Sequence, residues 1–453
     1  MTEKIKIKLQ QLPIKKPELF VALITLIWCW PNIINRFPII FSDTGSYLLF
    51  SNGKYSYYWR PVFYGFFLKA ILSIFHTLWV ACILQTLLVT SSVYYFLKTY
   101  KPDSSKSFWL PMLTLPLITA LPWCIGQIMP DFSICFSIPL CLVSLLFFEK
   151  LSTRTHLLIG ASLVFSFSLH SSNVPLFVIS MCACTLLLDL NKITPKIGKR
   201  FIFIFMTGLI AIVLQNTAPQ NRSVSNSAYA YLVARMIDDR SLFVFLNEEC
   251  QTPEKYIQLC DYKTKLETFT ESNEFLWHKP DLFWSLGAFA DSRNIFKEAV
   301  LRSLIHYPFL NFKAALFGVA HELFYFHMNT DRSYASSSGT AEWIEKIVPS
   351  DSPSAQAALQ TRNTLLEVFS KFNLLFFFIN PLSILLCFFF SFRIKVLESR
   401  NICRCALIFA VTNAFVCSFF SGSFARYQNR VSWLLVFAAL LALIELHERR
   451  KRT

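Results

Sequence analysis

The strongest constraint on this fold is the alternation of long apolar stretches with short connections that are in turn basic and non-basic. Of the 453 residues, 54% are hydrophobic, only 16% are charged and 47 are Phe, which is too apolar for a set of soluble domains. About ten stretches are long enough to cross a bilayer, at roughly 20 residues per span. The sequence therefore predicts an all-α polytopic membrane protein.

The basic residues indicate which end of each span faces the cytoplasm. The first apolar stretch, 19–40, follows a lysine-rich tail and has no small-residue cleavage site, so we expect an uncleaved span. Counting about ten spans from there places every basic cluster on one side, as the positive-inside rule requires, with both termini cytoplasmic. These clusters account for the formal charge of +15, so no nucleic-acid partner is expected.

The apolar run 61–97 is too long for one span and must be divided. Pro61 suits the first turn of a helix, so 61–74 is predicted to lie at the outer membrane surface and the second span to begin at His76 and Thr77. The other predicted spans are 108–125, 131–149, two that flank a hinge at 170–175, 201–215, 369–392 and two nearer the C-terminus.

One polar segment is long enough to fold in water, which divides the chain into three parts. We expect an N-terminal transmembrane module, 1–215, with a first outer loop at 41–75, then a mostly helical outer loop domain, 216–367, and a C-terminal transmembrane module, 368–453. The charges of the loop domain are mixed, as in a translocated loop. Its only cysteines, Cys250 and Cys260, would form a disulfide in an oxidising compartment.

Two acidic residues stand at the outer ends of predicted spans. Asp43 lies in the polar segment 41–47, and a carboxylate beside hydrocarbon is a candidate functional group, here a general base or a metal ligand. The alternative is an N-cap for a helix that begins at Thr44, and the two roles are compatible. Asp131, which follows Pro130, has the same two interpretations.

Several basic residues share the outer side with these acids. Arg60, Arg426 and Arg430 are candidate anchors for a phosphate or pyrophosphate, because a guanidinium offers paired donors, and lipid headgroups are the alternative partners. His170 also faces outward on this topology and is a candidate substrate or metal contact.

A further acid and histidine occur together in the loop domain. His321, Glu322 and His327 lack the spacing of a zinc protease, which leaves a single metal ligand or substrate contact among them as a candidate role.

Taken together, these pieces resemble the GT-C superfamily of membrane glycosyltransferases, in particular bacterial relatives of the dolichyl-phosphate-mannose-protein mannosyltransferases. The resemblance is carried by four short segments, which are 43–48 (DTGSYL), 60–65 (RPVFYG), 129–132 (MPDF) and 426–430 (RYQNR). Short loops and the absence of a eukaryotic sorting signal favour a bacterial inner membrane, with the loop domain in the periplasm.

The resemblance implies that a sugar passes from a polyprenyl-phosphate donor to a glycan, lipid or protein acceptor outside the cytoplasm. It implies Asp43 as the base, Arg60, Arg426 and Arg430 at the donor phosphate, and the loop domain over the acceptor. Many members have two acids close together in the first loop, whereas Asp43 is followed by Thr44 and Gly45. A divalent metal cofactor would therefore need Asp131 as the second carboxylate.

Two other function classes fit the same topology. One is a transporter or flippase for a lipid-linked substrate, although the sequence has neither an inverted repeat nor a matching pair of Gly/Pro-broken spans. The other is a non-catalytic envelope assembly protein that binds through the loop domain. Convergence of the outward acids and arginines on one cavity would favour transfer chemistry.

Overall fold

The computed structural model describes residues 16–54, 60–102, 106–189, 195–217, 224–278, 281–326, 328, 339–362, 364–422 and 424–451. Within these ranges the secondary structure is helical, apart from one isolated bridge between Ile39 and Gln127. The basic N-terminal tail and His327 lie outside the described residues.

The N-terminal half contains helices Pro17–Trp28, Trp30–Asn35, Thr44–Ser51, Phe63–Phe75, Leu78–Tyr100, Lys106–Ile118, Leu121–Gly126, Phe132–Leu146, Thr153–Leu169, Asn173–Asp189 and Pro195–Thr217. The long loop contains Val224–Asp238, Ser241–Glu249, Lys263–Leu266, Ser272–Trp277, Leu282–Ser285, Ala288–Asp291, Arg293–His306, Pro308–Phe324, Thr340–Ile347 and Ser352–Ala357. Leu365–Arg393, Leu397–Phe420 and Ala425–Arg450 follow, and short 3-10 turns occupy Phe148–Lys150, Pro253–Lys255, Gln258–Tyr262 and Pro349–Asp351.

Five helices of the described chain are long and apolar enough to cross a membrane, which supports a helical membrane protein. They match the second, seventh, eighth, ninth and tenth predicted spans and comprise Leu78–Tyr100, Ile197–Asn216, Ser370–Arg393, Leu397–Phe420 and Arg426–Arg450. The shorter apolar helices are Pro17–Trp28, Phe63–Phe75, Trp109–Ile118, Phe132–Leu146 and Asn173–Leu188. The count of ten spans remains a prediction.

Two predicted spans are broken rather than continuous. The first forms helices on either side of Cys29, because Pro31 has no amide hydrogen to continue the ladder, and it ends at Arg36 in the left-handed conformation with φ 66°. The third is divided before Pro122 into Lys106–Ile118 and Leu121–Gly126 for the same reason. These breaks bend the chain where it approaches the first outer loop.

The helix predicted for 61–74 is present as Phe63–Phe75, with Val62 as its N-cap, so Pro61 precedes the helix and does not lie in its first turn. It ends at His76, whose φ of 51° is left-handed. The helix Leu78–Tyr100 then begins with Thr77 as its N-cap. Asp351, from the end of the long loop, accepts hydrogen bonds from Thr77 Oγ1 at 2.8 Å and from the Leu78 amide at 2.7 Å. The long loop thus completes the cap of this helix.

Residues from the middle of the long loop build a hydrophobic core of their own. It spans residues 230–300 and centres on four fully buried Phe side chains, Phe245, Phe275, Phe283 and Phe296. Cys250 and Cys260 lie at its rim at disulfide-bond distance, with their Cα atoms 5.6 Å apart, as the sequence predicts.

The last part of the long loop is bound to the first outer loop. Gln360 donates to the Ile40 carbonyl at 2.6 Å and accepts from the Ile40 amide at 3.1 Å, which imitates a strand pairing. Thr340 Oγ1 donates to the Ser42 carbonyl at 3.0 Å, and Gly45 leaves only enough room for this hydroxyl. The backbone just before Asp43 is therefore fixed by residues about 300 positions later in the chain.

Replacing Gly126 with alanine tests how closely the broken first span packs against the end of the third. A Cβ at Gly126 would lie 2.1 Å from Asn32 Nδ2, and Asn32 is buried with its Oδ1 accepting from the Ile39 amide at 2.9 Å. We expect Gly126→Ala to destabilise the fold by about 1–3 kcal/mol, measured as thermal unfolding in detergent. Gly198→Ala is the control, because outside its own helix no atom of the described chain lies within 4 Å of the added Cβ, and it should leave the melting temperature unchanged or slightly raised.

Candidate functional site

Asp43 immediately precedes the helix Thr44–Ser51, but its side chain does not cap that helix. Its backbone carbonyl accepts the first helical bond, from the Ser46 amide at 3.1 Å. The carboxylate instead accepts from Arg60 Nη2 at 2.6 Å and from Arg426 Nη1 at 3.4 Å. The capping alternative is therefore not observed for this side chain, which is occupied by two guanidinium groups.

The two arginines decide the ionisation of Asp43. Burial alone would raise the pKa of the carboxyl, but the charges of Arg60 and Arg426 and their hydrogen bonds outweigh it and lower the pKa to about 2. Asp43 is thus a carboxylate at neutral pH. While both arginines hold it, it is also a very weak base.

Asp131 forms the second ion pair and likewise does not cap the helix that follows it. Its Oδ1 accepts from Arg430 Nη1 at 2.9 Å, and the two side chains are only 5% and 1% exposed. Its Oδ2 is buried and has no hydrogen-bond partner within the described part of the chain. Burial acts to raise the pKa of Asp131, but the charges of Arg426 and Arg430 lower it by more, so the net shift is downward.

Arg426 and Arg430 lie one turn apart at the start of the last helix, Ala425–Arg450. Arg430 also donates to Asn413 Oδ1 at 3.3 Å and to Cys417 Sγ at 3.1 Å, so its guanidinium is held on several sides. The Arg426 guanidinium lies 4.3 Å from the centre of the Phe41 ring. Because Arg426 bonds Asp43 and its charge also acts strongly on Asp131, it links the two carboxylates.

His170 belongs to the same charged cluster. It lies in the hinge between Thr153–Leu169 and Asn173–Asp189, and its Nδ1 is 2.8 Å from Ser172 Oγ. Burial lowers its pKa to about 4, a shift that Asp131 opposes and the nearby arginines increase. The imidazole is therefore neutral at pH 7.

A small cleft opens beside Asp131 and Arg426, with a cavity volume of about 30 Å³; the wider empty space of about 430 Å³ around it includes open solvent. The cleft is lined by apolar, polar and charged side chains, which are Ile39, Trp123, Cys124, Gln127, Asp131, Met328, Arg426 and Asn429. Asp43 does not line the cleft. It accepts a hydrogen bond from Arg426, which does. Carboxylate and guanidinium groups among these side chains can hydrogen-bond a hydroxyl and pair with an anion.

His321 and Glu322 lie on different faces of the helix Pro308–Phe324. His321 is exposed and its ring contacts Tyr325 at 4.9 Å, whereas Glu322 is fully buried. The structure thus does not bring His321 to the cluster. Within the described residues, no three His, Cys, Asp or Glu side chains form a group that could hold a metal ion.

Glu322 is buried near Arg430, one of the residues of the charged cluster. The charge of Arg430 acts on its carboxyl, as do the backbone amides of Phe424 and Gln428, but neither oxygen has a hydrogen-bond partner in the described chain. Burial is the dominant effect and raises the pKa of Glu322 to about 8. The group is therefore mainly protonated at pH 7, and the cluster carries three arginine charges against two carboxylates.

Other residues of the site were missed in the sequence. Tyr64 donates to Gln85 Oε1 at 2.5 Å, and Gln85 Nε2 donates to the carbonyls of Ile125 and Gln127. A glutamine inside an apolar span was the available signal. Tyr231 comes from the separate loop core, and the charges of Arg60 and Asp43 act on it, although burial dominates and raises its pKa. Nothing local in the sequence places Tyr231 near the first loop.

No protein-family model, curated protein or solved structure matches this chain.

Replacing Arg430 alone should destabilise the fold much more than replacing Arg430 and Asp131 together. Arg430→Gln leaves the Asp131 carboxylate buried without its charged partner, so we expect a loss of about 3–5 kcal/mol in unfolding free energy. The double variant Asp131→Asn, Arg430→Gln should recover most of that loss in thermal unfolding. Lys346→Gln, which breaks an exposed pair with Glu342, is the control and should cost at most about 1 kcal/mol.

Glu322→Gln should stabilise the protein at alkaline pH. The pKa of Glu322 is raised to about 8 in the folded state, so its contribution is fully present below its ordinary value of 4.5 and is lost as the pH rises towards 8. The amide of the variant does not titrate. Its free energy of unfolding should therefore increase relative to that of the wild type from pH 5 to pH 8, by on the order of a few kcal/mol. Melting temperatures across this range test it, with exposed Glu345→Gln as control. Parallel curves for wild type and Glu322→Gln would contradict a protonated Glu322.

Proposed function

We propose that this protein is an integral-membrane glycosyltransferase of the GT-C type, which transfers a sugar from a polyprenyl-phosphate donor to an extracytoplasmic glycan, lipid or protein. The observation that carries the proposal is the convergence of two carboxylates and three arginines, drawn from both ends of the chain, in one cluster whose Asp131 and Arg426 line a cleft. The proposal includes about ten spans, an inner-membrane location and a periplasmic loop domain.

The charge balance supports an anionic ligand. Arg60, Arg426 and Arg430 outnumber the carboxylates Asp43 and Asp131, and His170 is neutral at pH 7 because its pKa is about 4. An unbalanced positive charge in a poorly solvated cleft favours the binding of an anion. A donor phosphate at the membrane surface meets this requirement while its polyprenyl chain stays in the bilayer.

The reaction needs a base and a stabilised leaving group. An acceptor hydroxyl attacks the anomeric carbon of the donor sugar and gives its proton to Asp43. The new C–O bond forms as the bond to the donor phosphate breaks, and that phosphate leaves with the electron pair. Guanidinium groups stabilise the developing charge, so no separate acid is required.

Asp131 has a different role in this scheme. Its Oδ1 is held by Arg430, while its buried Oδ2 has no partner in the described chain and can accept a hydrogen bond from a sugar or acceptor hydroxyl. Trp123 and Gln127 line the same cleft and supply an apolar face and an amide. These groups orient the substrates, and Asp43 takes the proton.

Asp43→Asn is the direct test of the base. The amide keeps the size of the side chain and loses its basicity, so we expect transfer to fall by about 10²-fold or more. Glycan profiles of a deletion strain, complemented with wild type or variant, provide the measurement together with the level of folded protein in the membrane.

Asp239→Asn is the matched control, because Asp239 pairs with Arg235 in the loop domain and lies outside the cluster. It should restore the wild-type profile. Full rescue by Asp43→Asn would exclude Asp43 as the catalytic base. An unchanged glycan profile in the deletion strain itself, combined with altered distribution of a lipid-linked sugar across the membrane, would replace transfer by transport.

A further inference from the structure

The two ion pairs of the cluster differ in how accessible they are. In the first, Asp43 is bound by both Arg60 and Arg426. The side chains of Arg60, Arg426 and Asp43 are 14%, 23% and 17% exposed, so a ligand can reach them. Arg430 and Asp131 are 1% and 5% exposed. The outer arginines can exchange partners, whereas the inner pair is enclosed.

The inner arginine also has more partners than the outer ones. Arg430 is bound to Asp131, Asn413 and Cys417 at once. Arg426 donates only to Asp43, at 3.4 Å, and to the Tyr427 hydroxyl, at 3.3 Å, among the described residues, and its guanidinium also lies over the Phe41 ring. Arg60 lies in the same way 5.8 Å from the centre of the Tyr47 ring.

We propose that Asp43 occupies the donor-phosphate site in the free protein, and that donor binding moves Arg60 and Arg426 from Asp43 to the phosphate and thereby releases Asp43 to act as the base. The inference rests on the proposed function. It assigns phosphate binding to Arg60 and Arg426 and gives Arg430 the structural role of holding Asp131.

The physical reason is that one pair of guanidiniums cannot serve two anions fully. Arg–carboxylate and Arg–phosphate contacts use the same N–H donors in the same planar arrangement. Once a phosphate shares these donors and partly neutralises the two charges, the carboxylate loses the interactions that keep its pKa at about 2. Asp43 then becomes a stronger base only when a donor is present.

This coupling fixes the order of events. Without a donor, the paired carboxylate is too weak a base to activate water or an acceptor hydroxyl. With a donor bound, the base and the leaving group become competent together. The site is therefore expected to bind the donor before it activates the acceptor.

Binding of a lipid phosphodiester to wild type and Asp43→Asn tests the competition directly. The probe is citronellyl methyl phosphate, and the full-length protein is held in nanodiscs of zwitterionic lipid, so that lipid headgroups add no net negative charge. If Asp43 competes with phosphate, its removal should tighten binding by about tenfold or more, since one pKa unit of lost interaction corresponds to a factor of ten. Asp239→Asn, which breaks an arginine pair elsewhere, should bind like wild type.

Equal or weaker binding by Asp43→Asn, with binding by wild type intact, would overturn the competition and leave the proposed transfer reaction standing. Binding by neither protein would instead contradict both the phosphate site and the proposed function. Citronellol, the uncharged counterpart of the probe, should bind both proteins equally.

Arg60→Gln provides a second comparison in case Asp43→Asn alone does not fold. Arg60→Gln should weaken probe binding, because one phosphate contact is lost. Adding Asp43→Asn to it balances the charges and removes the remaining competition for Arg426, so the double variant should bind the probe more tightly than Arg60→Gln alone. A double variant that binds no better than Arg60→Gln would contradict the inference.

Discussion

Two ion pairs join the start of the last helix to residues that immediately precede two earlier helices, and the arrangement of the site depends on them. Arg426 reaches Asp43 across 383 positions of sequence, and Arg430 reaches Asp131 across 299. Charges in a poorly solvated interior are stable only when each finds its partner. The pairs therefore specify where the last helix lies relative to the segments that contain Asp43 and Asp131.

The surrounding packing supplies the precision that charge alone does not. Gln360 and Thr340 hold the backbone just before Asp43, and Thr44 Oγ1 donates to the Ile128 carbonyl at 3.0 Å, close to Asp131. Neutral hydrogen bonds are short-ranged and directional, so they fix positions that long-range electrostatics leaves loose. The loop domain, the first loop and the last helix thus share one set of contacts around the cleft.

Much of the architecture could be predicted because its causes are local. The apolar length of Leu78–Tyr100, the separate helix Phe63–Phe75 and the hinge at His170 each depend on neighbouring residues. The disulfide followed from two cysteines in one polar domain. Capping by Asp43 was predicted from local pattern and is not observed, because two distant arginines bind its carboxylate more strongly than a helix amide does.

Sequence alone determined a helical membrane protein and named the acids and arginines that form the charged cluster. Only the tertiary structure decided which arginine pairs with which carboxylate, that His321 stays outside while Glu322 is buried, and that Tyr231 joins the site. Span and sidedness follow from hydropathy and charge counted along the chain. Partnership and burial follow from how helices pack in three dimensions, which no local pattern encodes.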